Sequence, residues 1–213
     1  KARLTYNQVE KHLNKSSSIK QAGVRDSIKH LKDLTNLRLK LRNQRKALEI
    51  NPMETTLELS ESKEVKNIVL KKSLFAHKLV EESMLLANES AAEFMQDRLN
   101  LGVYRIHEDP DPSKLEALKK HFKISPKQVK KLSPLEVVNL CLDQANKKND
   151  TTGQILILQS LARAEYSTNN LGHFGLQLTQ YSHFTSPIRR YPDLLVHRLI
   201  NSSLAQKKIQ TRQ

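Results

Sequence analysis

The chain is short of the residues that fix a protein covalently. It holds one cysteine, Cys141, in 213 residues. That excludes an internal disulfide framework and a cysteine zinc site. Cys141 lies in the apolar run Val137-Val-Asn-Leu-Cys-Leu142, which suits a small buried thiol. Long apolar runs are missing too; none has the length of a membrane span or a signal-peptide core. The expected location is therefore cytoplasmic, with no membrane partner. No histidine pair has zincin spacing, so no zinc site is expected. No internal repeat or low-complexity tract interrupts the chain.

Acidic charge is scarce at the two ends. Residues 1–46 hold 13 Lys and Arg against 3 Asp and Glu, and residues 185–213 hold 6 against 1. The remaining 17 basic and 18 acidic residues fall between them and nearly cancel, for a net charge of +14. If the fold joins the two ends, they form one cationic surface, the footprint of a polyanion binder. The alternative for residues 1–46 is a solvated basic helix face. The length fits one domain or most of one, and the 38% hydrophobic content can support a core.

Helical periodicity dominates. Thr5-x-x-Gln8 is a capping box, followed by Tyr6, Val9 and Leu13 at helical spacing. Ile28, Leu31, Leu34, Leu37 and Leu41 then recur every three or four residues, with Lys and Arg opposite, which predicts a long basic amphipathic helix. Ala47–Ile50, Thr56–Leu59 and Val65–Leu70 tend towards alternation and predict a short β-meander. A second long helix is expected from about Leu74 to Leu99. Pro112 opens another, with Asp109-Pro-Asp111 or Ser113-x-x-Glu116 as its cap. Ser125-Pro126 and Ser133-Pro134 are further helix starts, and Thr151–Tyr166 reads as helix. The fold class is α/β, mixed but mostly helical.

The richest segment is His183-Phe-Thr-Ser-Pro-Ile-Arg-Arg-Tyr-Pro-Asp193. Ser186-Pro187 reads as a helix N-cap followed by the first helical residue, which puts Arg189 and Arg190 in the first turn. Cations are out of place at a helix N-terminus unless an anion sits among them, and phosphate is the usual one. Arg190 could instead pair with Asp193, and Pro192 would kink or restart the helix. Aromatics make up only 5% of the chain, yet Phe174, Tyr181, Phe184 and Tyr191 gather here with His173 and His183. Aromatics interleaved with cations suit stacking on single-stranded bases; for Phe174 and Phe184 a core role is the better reading. On the second long helix, Glu81 and Asn88 are seven apart and share a face, with Glu82 adjacent. A carboxylate among Met84, Leu85 and Ala92 needs a partner or a ligand.

The run Tyr181-Ser-His-Phe-Thr-Ser-Pro-Ile-Arg-Arg-Tyr-Pro-Asp-Leu-Leu-Val-His-Arg198, with Gly172-His-Phe-Gly-Leu176 before it, resembles the C-terminal motif of the RNase II / RNase R family. Ala2-Arg-Leu-Thr-Tyr6, Ala76–Asn88 and Tyr104-Arg-Ile-His107 resemble other landmarks of the same catalytic domain. The Arg-Arg-Tyr-Pro-Asp form lies nearer to RNase R than to RNase II. The resemblance implies a processive, magnesium-dependent 3′-to-5′ exoribonuclease of the RNB type. It implies that Arg189 grips the scissile phosphate, and that a glutamate of the Glu81-Glu82 pair reads the ribose. The candidate RNA contacts are Arg190, Glu81, Glu82, Asn88, His173, Tyr181, His183, Thr185 and Ser186.

The same resemblance implies that the magnesium-binding aspartates and a base-packing tyrosine precede the segment matching Arg3-Leu-Thr-Tyr6. No aspartates of this chain form such a cluster. The expectation is thus the C-terminal half to two-thirds of a catalytic domain, without the flanking oligonucleotide-binding-fold domains. Its partner would be single-stranded RNA, its state monomeric, with an RNA-degradation complex open as a further partner. The other reading is a catalytically inactive RNA-binding relic of such an enzyme.

Overall fold

A computed structural model describes residues 2–15, 19–50, 55–60, 62–70, 73–125 and 132–205. The chain divides into two compact units, residues 1–40 with 49–83, and residues 41–48 with 84–213.

The first unit contains α1 (Tyr6–Leu13), most of α2 (Ala22–Gln44), the hairpin β1 (Thr55–Leu59) and β2 (Val65–Leu70), and the start of α3 (Phe75–Leu99). The capping box at α1 is present: Thr5 Oγ1 accepts from Gln8 N, and Gln8 Oε1 accepts from Thr5 N at 2.8 Å. Glu10 Oε2 accepts from Ala76 N at 2.8 Å, which places a carboxylate on the free amides that begin α3. In α2 the buried residues are Ile28, Thr35 and Arg38, whereas Leu34, Leu37 and Leu41 are exposed. The predicted stripe faces the interior only at its start, at Ile28 and half-buried Leu31; further along, Thr35 and Arg38 take the interior. Arg38 stands instead 3.7 Å from Glu82 Oε2, both buried.

Two strands form where three were expected. β1 and β2 pair antiparallel with a bulge at Glu58/Leu59. Ala47–Ile50 is not a strand. Lys46 takes a left-handed conformation (φ 56°), and Ala47 N donates to Arg42 O at 3.2 Å. This six-to-one bond closes α2, so the segment serves as a helix stop.

The second unit is built on the rest of α3, β3 (Tyr104–Ile106), α4 (Pro112–His121), α5 (Pro134–Lys148), α6 (Thr151–Ser160), β4 (Glu165–Ser167) and α7 (Tyr191–Leu204). Ala91 and Met95 of α3 pack on Val196 of α7, with Leu99, Val103, Phe184, Leu199 and Ile200 around them. Helices α4, α5 and α6 pack on one another. Asp111 caps α4, and Ser133 with Glu136 caps α5 in a second capping box. The helix expected from Ser125-Pro126 lies outside the described residues from Pro126 onward. Cys141 is fully buried, and burial pushes its thiol up to about 12.

Two sequence expectations fail here. Helix α6 ends at Ser160, and Tyr166 lies in β4, antiparallel to β3 with Arg105 opposite it. Residues 186–190 do not begin a helix. They close a single turn, in which Arg189 N and Arg190 N both donate to Ser186 O, at 3.3 and 3.1 Å. Helix α7 begins at Tyr191, with Arg190 as its N-cap and Pro192 in the first turn. Pro192 thus neither kinks nor interrupts a helix; it starts one, where its missing N–H costs nothing.

Candidate functional site

The segment from Tyr181 to Arg190 runs between β4 and α7 as an irregular loop, and side chains hold it in place. Asn88 of α3, 3% exposed, works from below. Its Oδ1 accepts from Phe184 N at 2.8 Å and Thr185 N at 3.2 Å, and its Nδ2 donates to Tyr181 Oη at 2.9 Å. Asp193 of α7, fully buried, works from the other side. Its Oδ1 accepts from Ser186 N and from Arg190 Nη2, each at 2.8 Å. His197, one turn further along α7, bonds to Phe184 O through Nε2 at 2.9 Å and stacks on the Phe184 ring at 4.1 Å. Amides that would otherwise need a strand ladder find single side-chain acceptors on two helices.

The arginines differ in consequence. Arg190 is engaged by Asp193 and is only partly exposed. Arg189 projects from the same turn, exposed, and its guanidinium has no acceptor among the described residues. Ile188 beside it is 97% exposed. Thr185 Oγ1, Arg190 Nε and Asp193 Oδ2 are buried without hydrogen-bond partners. Orphaned buried polar atoms beside an unengaged cation mark a place where a ligand or solvent completes the set.

A ladder of edge-on rings backs the loop. His107 and His173 meet at 5.0 Å, His173 and Tyr181 at 5.3 Å, Tyr181 and His183 at 5.7 Å, and His183 and Tyr166 at 5.6 Å. Tyr166 Oη and His183 Nδ1 share a hydrogen bond of 2.7 Å. Burial, then the Arg190 charge, lowers His183 to about 4. Burial and neighbouring His107 lower His173 to the same region. Both rings are neutral at pH 7, and burial also raises the Tyr181 phenol. His107 Nδ1 accepts from Gly175 N at 3.1 Å, and a Cβ at Gly175 would stand 3.0 Å from that nitrogen. A side chain here would have to push the His107 ring back by a few tenths of an ångström.

The loop unites Tyr181, His183, Thr185, Ser186, Arg189 and Arg190, with Asn88 beneath and His173 behind. Asn88 and Tyr181 are buried, so they hold the loop and do not face outward. Glu81 and Glu82 belong to the first unit, where Glu81 is exposed and Glu82 is buried beside Arg38. Sequence reasoning overlooked Arg105, Tyr166 and His197. The first two become partners only when β3 pairs with β4, and no local pattern announces that pairing.

The sequence model of the RNB domain matches residues 1–206. The chain belongs to the RNB domain family. Among curated relatives, this RNB chain is 37% identical to Ribonuclease R of Thermotoga maritima over 211 residues, covering 97% of the chain and 30% of that protein. It is 33% identical to Ribonuclease R of Escherichia coli over 213 residues, covering 97% of the chain and 26% of that protein. It therefore spans about a third or less of these relatives' length. Among solved structures, Mycoplasma genitalium RNase R in complex with ribose methylated single-stranded RNA superposes with a TM-score of 0.82 at 28% identity. That match covers 95% of this chain and 33% of the other. Yeast Ssd1, a pseudonuclease, shares the fold with a TM-score of 0.70 at 21% identity.

Proposed function

We propose that this chain is the C-terminal half to two-thirds of an RNB catalytic domain, in a protein that degrades single-stranded RNA from the 3′ end to nucleoside monophosphates. The observation that carries the reading is Arg189: an exposed guanidinium without an acceptor among the described residues, on a turn fixed by Asn88 and Asp193. Phosphoryl transfer needs positioned positive charge more than covalent chemistry, and a planar fork can follow charge as it moves over the phosphate oxygens. Arg189 takes that part. His183, Thr185, Ser186 and Arg190 line the strand's path, Tyr181 and His173 support it, and one glutamate of the Glu81-Glu82 pair meets the ribose. The identity to Ribonuclease R and the fold of an RNA-bound RNase R support this.

Magnesium, which the family uses, does not fit the described residues. Among the described residues no group of three or more His, Cys, Asp or Glu side chains could hold a metal ion. On this proposal its ligands lie elsewhere in the protein, and the chain alone does not cut RNA. The protein works as a monomer in the cytoplasm, within reach of an RNA-degradation complex.

A labelled oligoribonucleotide tests the reading. The complete protein with magnesium should shorten it processively from the 3′ end, and the 213-residue chain should not. Shortening by the chain alone would overturn the placement of the metal ligands outside it. The second reading, an RNA-binding relic, is favoured by the shared fold of a pseudonuclease, since a fold does not itself secure an activity. RNA binding without shortening by the complete protein would establish it.

A further inference from the structure

Arg105 lies outside the loop that carries Arg189, yet its placement is specific. It sits on β3 opposite Tyr166 of β4, and its guanidinium carbon lies 4.6 Å above the Tyr166 ring. Its backbone N–H donates to Tyr181 O at 2.8 Å, which ties the strand to the arginine loop. Tyr166 in turn reaches the loop through His183. Tyr166 is 40% exposed. Like Arg189, the Arg105 side chain has no carboxylate or carbonyl acceptor among the described residues. Arg105, Arg189 and Arg190 all act on His183, and the carboxylate acting with them, Asp193, is already bonded to Arg190. Three cations thus stand near one ring of the arginine loop.

A guanidinium held over an aromatic ring is attracted by cation–π interaction, which restricts the side chain and leaves its outer N–H edge free. The edge remains a planar fork of donors matched to two oxygens of a phosphate. We propose that Arg105, held by Tyr166, is a second phosphate-binding residue, gripping a phosphodiester of the bound strand other than the one Arg189 engages. The inference rests on the reading of the chain as part of an RNA-degrading domain. It separates two duties. Arg189 serves the reacting phosphate, and Arg105 holds the strand in register through a phosphate that does not react.

The test uses the complete protein and a short single-stranded oligoribonucleotide. Arg105→Gln should weaken binding about tenfold at low salt and reduce the slope of log affinity against log salt by about 0.7, the share of one phosphate on a single strand. The single-turnover rate at saturating RNA should stay within about twofold of the parent, since uniform binding is lost and not transition-state binding. Arg105→Lys, which keeps the charge and the aliphatic stem, should retain the salt slope and recover only part of the affinity. Tyr166→Leu should weaken binding with the slope unchanged. If the parent protein binds RNA and Arg105→Gln leaves affinity and slope alone, the pair is only a surface stack and this inference falls by itself. A loss at Arg105 confined to turnover overturns it as well. Failure of the parent protein to bind RNA removes both this inference and the nuclease reading.

Discussion

Arg190 donates from Nη2 to Asp193 Oδ1 at 2.8 Å, and the same oxygen accepts the backbone N–H of Ser186. One buried carboxylate thus fixes both a cation and the turn that carries its neighbour. Asp193→Ala leaves a guanidinium and an amide without their acceptor. A loss of about 2–4 kcal/mol in unfolding free energy is expected, near the range for breaking a buried pair from one side. Urea denaturation checks this. Asp193→Asn keeps an acceptor for Ser186 N and should cost less.

Arg189 and Arg190 are adjacent and chemically equal, yet their mutants should diverge. Arg189→Lys in the complete protein should lower single-turnover rates by roughly 10²–10³, the scale of losing one preorganised donor, with RNA affinity nearly unchanged. Arg190→Lys should cost much less in turnover, because its bond is to Asp193. Rates and dissociation constants for both variants decide the matter; equal losses at the two positions would remove Arg189 from the reacting phosphate.

Asn88→Ala deletes three hydrogen bonds at once and leaves two amides facing a gap. A stability loss of about 1–3 kcal/mol is expected from unsatisfied buried donors. The more telling readout is local: hydrogen exchange at Phe184 and Thr185 should quicken more than exchange at Met95 in the core.

His183 and His173 both fall to about 4 in the folded chain from 6.5. Between those values the unfolded chain binds more protons than the folded one, so stability rises with pH across the window. It should be fully present above 6.5 and drain away as pH falls towards 4. Denaturation midpoints at pH 7.0 and 4.5 measure the drop, and His183→Asn should shrink it.

Much of this was legible in advance. The capping box at Thr5, the helix start at Ser133-Pro134 and the long helix ending at Leu99 follow from local rules that the structure obeys. The arginine loop was visible as a motif, but its geometry was not. Ser186-Pro187 and Tyr191-Pro192-Asp193 are both helix-start signals, five residues apart. The second prevails because Asp193 reaches back to Ser186 N and Arg190, a contact that spacing alone does not reveal. Asn88 was readable as a polar residue on a helix face, but not as the loop's bracket, since its partners lie more than ninety residues away. Tyr166 fell to the wrong element for the same reason: its strand exists only through Arg105. In α2 the leucine period was real, yet Thr35 and Arg38 took the interior. Arg38 stands beside a buried glutamate that the helix's own sequence does not contain.

The arginine loop has no register. Two strands can slip by two residues and still find a ladder of equivalent partners, but here each amide answers to one oxygen of one side chain. Phe184 and Thr185 are addressed to Asn88, and Ser186 to Asp193. A single inserted or deleted residue between 186 and 193 would leave both helices intact and misdeliver the turn between them. Substitutions that leave those acceptors in place preserve the turn's geometry; changes of length do not.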